Sequence, residues 1–113
     1  MKIYHNPRCS KSRQTLEIIQ QHGFQPEIIK YLESPPSVIE IKELLALLNL
    51  QPRELMRKNE AEFKDNQMSN QSLSSNDLIE LMHHYPKVIE RPIVVNNNKA
   101  IIGRPPEAVL AII

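Results

Sequence analysis

The spacing of apolar and polar positions changes along the chain, and each spacing predicts a kind of secondary-structure element. Met1 to Tyr4 is a short apolar segment typical of a strand, whereas the segment from Ser10 carries apolar residues at helical spacing. Gly23 ends that helix, and Gln25 to Tyr31 contains a second strand. The beginning of the sequence therefore predicts a strand–helix–strand unit.

The middle of the chain predicts helices. Ser37 with Glu40 forms a capping box, which opens a helix that runs through Leu48. Pro52 suits the first position of another helix, which we expect to cover Arg53 to about Glu62. This region therefore predicts a helical block.

A polar connection and one more helix complete this block. Lys64 to Ser75 is rich in Asn, Gln and Ser, which predicts an exposed segment. Ser75 or Asn76 then caps a helix that ends at Pro86.

The last part of the chain predicts a β-hairpin followed by a helix. Pro92–Val95 and Lys99–Ile102 are the strands, and the polar run 96–98 is the tight turn between them. Gly103 permits an unusual backbone angle, and Pro105-Pro106 starts the final helix.

The resulting order is strand, helix, strand, helical block, strand, strand, helix. A βαβ unit followed by a hairpin and a helix is the order of a thioredoxin-like fold. We therefore predict an α/β protein with a glutaredoxin-like mixed four-stranded sheet and a helical insertion at about 37–86. A length of 113 residues suits one domain, 1–113.

Composition restricts the possible functions. A net charge of +1 gives no sign of nucleic-acid or membrane binding, and no signal peptide or membrane span is evident. A single cysteine cannot form an internal disulfide, so a reducing compartment, the cytoplasm, is expected. The adjacent His83 and His84 point in different directions on a helix, which disfavours a metal site. With only two glycines there is no phosphate-cradling loop, and no bound cofactor is expected.

Cys9 is the strongest candidate for a reactive residue. It stands where the first strand gives way to a helix, in the sequence HNPRCSKSR. The positive end of the helix dipole and the nearby cationic groups His5, Arg8, Lys11 and Arg13 favour the thiolate, which is the nucleophilic form. A free cysteine is often a buried, inert residue, but the polar neighbours of Cys9 favour a reactive role.

Ser12 occupies the position of the second cysteine in a C-x-x-C dithiol. A two-electron reduction needs two thiols and this chain supplies one. If Cys9 carries out reductive chemistry, the second thiol must come from a small thiol or a partner protein. Arg13 lies one helical turn beyond Cys9 and can either help to hold the thiolate or remain at the surface.

A second candidate group consists of Arg57, Arg91 and Arg104. Arg91 precedes the first hairpin strand and Arg104 follows the second, which places both near the end of the sheet where Cys9 emerges. Guanidinium groups pair with tetrahedral oxyanions through two hydrogen bonds, so their convergence on the thiolate would form an oxyanion pocket. Pro92 is a candidate cis proline.

Five ordered segments stand out along the chain: YHNP with Cys9, YLE (31–33) with Pro35-Pro36, LMRKN (55–59), RPIVV (91–95) and GRPPE (103–107). Together they closely resemble the glutaredoxin-coupled arsenate reductase (ArsC) family, nearest to its YfgD-like branch. The resemblance covers essentially the whole chain. It implies a thioredoxin-like fold with a helical insertion, and reduction of arsenate to arsenite with glutathione and glutaredoxin as electron donors.

The resemblance also implies roles for particular residues. Cys9 matches the nucleophile that attacks arsenate, and His5 matches the histidine that helps to lower its pKa. Ser12 matches the hydroxyl residue of the active-site loop and is expected to hydrogen-bond the thiolate. The residues that match the oxyanion-binding arginines are Arg57, Arg91 and Arg104.

Two other classes of protein share this expected fold. Spx-type regulators bind RNA polymerase, but they carry a C-x-x-C switch that Ser12 removes here. An inactive thioredoxin-like protein would keep the scaffold with an unperturbed thiol. Arg8 and Lys11 stand where the best-studied reductases have smaller residues, which leaves open a related oxyanion as substrate.

Overall fold

The computed structural model describes residues 1–113, and the chain forms two compact units. Met1–Ser34 and Arg91–Ile113 form the first, here called the sheet unit. Pro35–Glu90 forms the second, called the helical unit. The single domain expected from the sequence stays a prediction.

The sheet unit contains a mixed four-stranded sheet with the strand order β2-β1-β3-β4. Its strands are β1 (Lys2–His5), β2 (Glu27–Lys30), β3 (Ile93–Asn96) and β4 (Lys99–Ile102). β1 runs parallel to β2, and the pairs β1–β3 and β3–β4 are antiparallel. This arrangement confirms the predicted thioredoxin-like sheet.

Helix α1 (Ser10–Gln21) packs on the sheet through its apolar side. Ile19 of this helix joins Ile3, Val94 and Val109 in a cluster whose members are fully buried. The cluster joins the helix to both central strands. The turn between β1 and α1 therefore connects two elements that are each fixed by a buried residue of the cluster, Ile3 and Ile19.

The predicted hairpin is confirmed. Asn97 and Asn98 have φ angles of 50° and 62°, as a two-residue turn between antiparallel strands requires. Pro92 and Pro105, which flank the hairpin, each follow a cis peptide bond. The predicted final helix is a 3₁₀ turn over Pro106–Ala111.

The helical unit contains α2 (Val38–Leu48), α3 (Ala61–Asp65) and α4 (Ser75–His84). The predicted capping box at Ser37 is present, because its hydroxyl accepts from the Glu40 N–H and the Glu40 carboxylate accepts from the Ser37 N–H. Helix α4 starts with a second capping box made by Ser74 and Asp77, one residue before the predicted cap. No helix in the chain combines the length and apolar character needed to cross a bilayer.

The predicted helix over Arg53–Glu62 is wrong. Pro52–Leu55 forms a short 3₁₀ turn, Met56 is extended and bridges to Ile89, and α3 begins only at Ala61. The Arg57 N–H donates to the carbonyl of Val88 at 2.7 Å, which uses a donor that a helix would need. A partner more than thirty residues away in sequence therefore overrides the local helical preference.

The predicted exposed connection over Lys64–Ser75 is wrong in two places. Its first residues belong to α3, and Met68 is fully buried. The guanidinium of Arg53 also donates to the carbonyls of Met68 and Asn70, at 2.8 and 2.6 Å. Side-chain donors thus order a segment whose polar composition suggests a loop.

Candidate active site

Cys9 lies on the turn between β1 and α1, in extended conformation directly before the helix. Its N–H donates to the Asn6 carbonyl at 3.0 Å, and its carbonyl accepts from the Arg13 N–H at 3.0 Å. Cys9 is half-buried, and the contact between its sulfur and Arg104 is exposed. The turn therefore holds the backbone of Cys9 while leaving the thiol open to a ligand.

The two hairpin arginines converge on this sulfur. Arg104 Nη1 lies 3.9 Å from Cys9 Sγ and also donates to the Arg91 carbonyl at 3.2 Å. The Arg91 side chain hydrogen-bonds the same sulfur. The structure therefore brings together three of the predicted site residues, Cys9, Arg91 and Arg104.

These contacts change the acidity of the thiol. Partial burial acts to raise the pKa of Cys9, but the Ser12 backbone N–H and the charge and hydrogen bond of Arg91 act in the opposite direction, helped by Arg104. The net result is that the pKa of Cys9 lies below its ordinary value. The site therefore favours the thiolate, the form able to attack an electrophilic centre.

His5 and Ser12 form a buried pair beneath the turn. His5 Nδ1 lies 2.6 Å from Ser12 Oγ, and the same hydroxyl oxygen accepts from the Asn6 N–H at 3.1 Å. The Ser12 hydroxyl is thus occupied by the turn, and it is the backbone N–H of Ser12 that bonds to the sulfur of Cys9. The expected hydrogen bond from the hydroxyl to the thiolate is therefore replaced by one from the backbone.

The expectation that His5 adds cationic charge beside Cys9 is wrong. Burial lowers the pKa of His5 below its ordinary value, and the charges of Lys30 and Arg13 lower it further. A histidine with a depressed pKa is neutral near pH 7. His5 therefore acts on the site through its hydrogen bond to Ser12, and not as a cation beside the thiol.

Arg13 supports the turn from outside. Its Nη1 donates to the Pro7 carbonyl at 2.9 Å, and this contact is exposed. Of the two roles left open by the sequence, the structure gives Arg13 a contact to the turn backbone rather than to the sulfur.

Arg57 belongs to the helical unit, where two carboxylates engage it. Its Nε lies 3.3 Å from Glu60 Oε1 and its Nη1 lies 2.7 Å from Glu90 Oε1. These ion pairs hold the guanidinium in one orientation. Its part in anion binding stays a prediction.

Sequence reasoning missed the role of Thr15 and predicted the wrong role for Gly103. A Cβ on Gly103 would lie 2.8 Å from Pro92 Cγ and still closer to Thr15 Oγ1. Gly103 has no left-handed φ, so the expectation of an unusual backbone angle is wrong, and close approach is what requires glycine. The single proton of the Thr15 hydroxyl is shared between the carbonyls of Lys11 and Gly103, which lie 2.8 and 3.3 Å from Oγ1. This contact fixes the residue before Arg104 against α1.

No group of three or more His, Cys, Asp or Glu side chains is placed to hold a metal ion. The ring of His83 instead contacts the Pro36 carbonyl through Nδ1 at 2.8 Å.

The sheet order and the position of the single cysteine directly before α1 define a thioredoxin-like protein with one free thiol at this turn. The chain belongs to the ArsC family, whose model matches residues 4–112. It is 50% identical to the Escherichia coli protein YfgD over 114 residues, covering all of this chain and 96% of YfgD. It is 43% identical to an arsenate reductase of Haemophilus influenzae, covering 98% of this chain and 97% of the relative. The solved structure of an arsenate reductase from Vibrio cholerae is 49% identical, with a TM-score of 0.97 over 99% of this chain and 96% of that one.

Proposed function

We propose that this chain is an arsenate reductase whose nucleophile is Cys9. The observation that carries the proposal is the placement of the Cys9 sulfur, 3.9 Å from Arg104 Nη1 and hydrogen-bonded by Arg91. A thiolate beside two guanidinium groups suits a tetrahedral oxyanion, because the arginines neutralise the anion that the thiolate would otherwise repel. Relatives 43% and 49% identical carry the name arsenate reductase.

In the first proposed step the Cys9 thiolate attacks arsenic(V). A sulfur–arsenic bond forms, and one arsenate oxygen leaves as water after protonation. Arg91 and Arg104 hold the remaining oxygens, and the resemblance to the family adds Arg57 as a third guanidinium. His5 and Ser12 position the turn that carries the nucleophile.

The reduction then requires two external thiols. Glutathione adds to arsenic with loss of a second water. A glutaredoxin thiol attacks the glutathione sulfur, which forms a mixed disulfide and leaves two electrons on arsenic, now arsenic(III). Water cleaves the bond between Cys9 and arsenic, releasing arsenite and the thiol. The external thiols supply both electrons, because the chain has one cysteine.

A coupled assay tests this proposal. NADPH oxidation is followed with glutathione, glutathione reductase, glutaredoxin and a panel of oxyanions that includes arsenate and phosphate. We expect oxidation that needs arsenate and all thiol components with the wild type, and none with Cys9→Ser. Lys99→Gln, which removes an exposed charge at the hairpin turn, is the matched control and should remain active. Equal arsenate-dependent turnover by Cys9→Ser would refute the assignment.

A further inference from the structure

A cleft opens on the side of the turn that precedes Cys9. Its volume is about 270 Å³, and its lining includes His5, Arg8, Lys30, Leu32 and Glu33. All of these residues belong to the sheet unit. We call this feature the Arg8–Glu33 cleft. None of its charged residues takes part in the proposed reaction at the sulfur.

One wall of the cleft is the turn that carries the nucleophile. Asn6 and Pro7 line it together with Arg8, and the Asn6 side chain accepts from the Arg8 N–H at 3.0 Å. Asn6 also accepts the N–H of Cys9, so the wall and the thiol belong to one hydrogen-bonded turn. Arg8 directly precedes Cys9 in the sequence, so this wall continues into the residue that carries the sulfur.

The other wall comes from the end of β2. Lys30 is the register partner of His5 on β1, and the Lys30 charge acts on the His5 ring. The chain then turns, with the Glu33 N–H donating to the Lys30 carbonyl at 3.0 Å. This turn brings an ammonium, the apolar side chain of Leu32 and a carboxylate to the same cleft.

The charges in the cleft differ from those of an oxyanion pocket. Arg8 and Lys30 provide two cations, whereas Glu33 provides an anion that would repel arsenate. A complementary ligand has carboxylates for the cations and an ammonium for Glu33. A peptide thiol with a free α-amino group and two carboxylates has this set of charges.

We propose that the Arg8–Glu33 cleft binds the peptide thiol that reduces the Cys9–arsenic adduct, with its carboxylates toward Arg8 and Lys30 and its α-ammonium toward Glu33. This inference rests on the proposed function. Binding itself makes no covalent bond. It places the incoming thiol beside the adduct, which converts a bimolecular encounter into a local one.

Binding is tested without turnover by titrating S-methylglutathione, whose blocked sulfur cannot react, into the isotope-labelled protein and recording amide NMR spectra. We expect shifts concentrated at 5–8 and 30–33, and little change in the hairpin turn. Inorganic phosphate is the comparison ligand and should act mainly near Arg91 and Arg104. The inference would be overturned if S-methylglutathione caused no shifts at the cleft. It would also be overturned if phosphate caused equal shifts there, or if a parallel titration with glutaredoxin shifted the cleft and S-methylglutathione did not.

Steady-state kinetics provide the second test. Arg8→Gln, Lys30→Gln and Glu33→Gln should each raise the KM for glutathione about two- to fivefold, as expected for exposed ion pairs, with the KM for arsenate unchanged. Lys99→Gln is the control and should leave both constants unchanged. Equal effects on both KM values, or none on that for glutathione, would contradict the cleft assignment.

The two proposals can fail independently. If the wild type shows no arsenate turnover but S-methylglutathione still shifts the cleft resonances, the function and the role in reducing the adduct are wrong, and only the peptide-thiol binding site stands. If turnover is normal and the cleft does not respond, the function stands and the site is wrong.

Discussion

The sulfur of Cys9 is contacted by the Ser12 backbone N–H and by the side chains of Arg91 and Arg104. At the residue scale, these contacts come from positions three, 82 and 95 residues away in sequence. The cations adjacent in sequence are not among the causes that lower the pKa of Cys9. The acidity of the thiol is therefore a property of the folded sheet unit.

A direct consequence concerns Arg104. Arg104→Gln removes a charged donor from the sulfur, so we expect the pKa of Cys9 to rise and the arsenate-dependent kcat to fall roughly 100-fold. Alkylation rates measured across pH report the pKa, since only the thiolate reacts. Lys11→Gln, which removes a cation two residues from Cys9, is the control and should leave the alkylation profile unchanged. A profile that shifts with Lys11 and not with Arg104 would contradict the geometry.

The charge state of His5 gives a second prediction. Because burial depresses its pKa, the imidazole should titrate below its ordinary value of about 6.5 when followed by NMR. The unfolded chain binds this proton more readily, so the contribution of His5 to stability is complete above about pH 6.5 and is lost as the pH falls toward the folded-state pKa. His5→Asn should therefore flatten the acid side of the stability curve. Titration at or above the ordinary value would show that His5 is a cationic partner after all.

At the scale of elements, the close contact between α1 and the end of β4 positions Arg104. Gly103 approaches Thr15 so closely that a methyl group cannot fit. Gly103→Ala should lower the free energy of unfolding by about 1–3 kcal/mol, because the added atom forces the helix and the strand end apart. We also expect a higher pKa for Cys9, since Arg104 follows directly. Denaturant unfolding and pH-dependent alkylation measure the two effects.

Gly23 provides the matched control for this substitution. It has a φ of +86° at the end of α1, and nothing lies within 4 Å of a Cβ placed there. Gly23→Ala should therefore cost about 1–2 kcal/mol through backbone strain while leaving the Cys9 profile unchanged. If both alanine variants shift the Cys9 pKa equally, loss of stability alone explains the effect and the positioning role fails.

The sequence predicts elements well wherever their signals are local. The capping box at Ser37 and the polar hairpin turn act within four residues, and both are present in the structure. The helix expected over Arg53–Glu62 fails because Met56 pairs with the distant Ile89. The role of Gly103 was misread for a similar reason, since its neighbour Thr15 lies on another element. A single sequence gives no direct signal of contacts between residues on different elements, such as these two.

At the scale of the whole molecule, the division into two units separates the candidate site residues. Every group that lowers the pKa of Cys9 belongs to the sheet unit, whereas Arg57 belongs to the helical unit and pairs there with Glu60 and Glu90. Glu60 is only three residues from Arg57 in the sequence, whereas nothing in the sequence marks the distant Glu90 as its second partner. The assignment of Arg57 to the oxyanion therefore stays a prediction from the sequence and the family resemblance.

This separation predicts a split in kinetic behaviour. Arg57→Gln should raise the KM for arsenate, because one guanidinium is lost from anion binding, and leave the pKa of Cys9 unchanged. Lys58→Gln removes a neighbouring exposed charge and is the control, expected to alter neither value. An unchanged KM for arsenate in Arg57→Gln would remove this residue from the proposed site.

The most direct test of the whole account is the chemical fate of arsenic in one reaction mixture. Arsenate is incubated with the protein, glutathione and glutaredoxin, and arsenite is separated and quantified by mass spectrometry. The account predicts arsenite formation by the wild type, and only the uncatalysed background with Cys9→Ser. Arsenite formed equally by both proteins, or by neither, would contradict the claim that the Cys9 thiolate reduces arsenate.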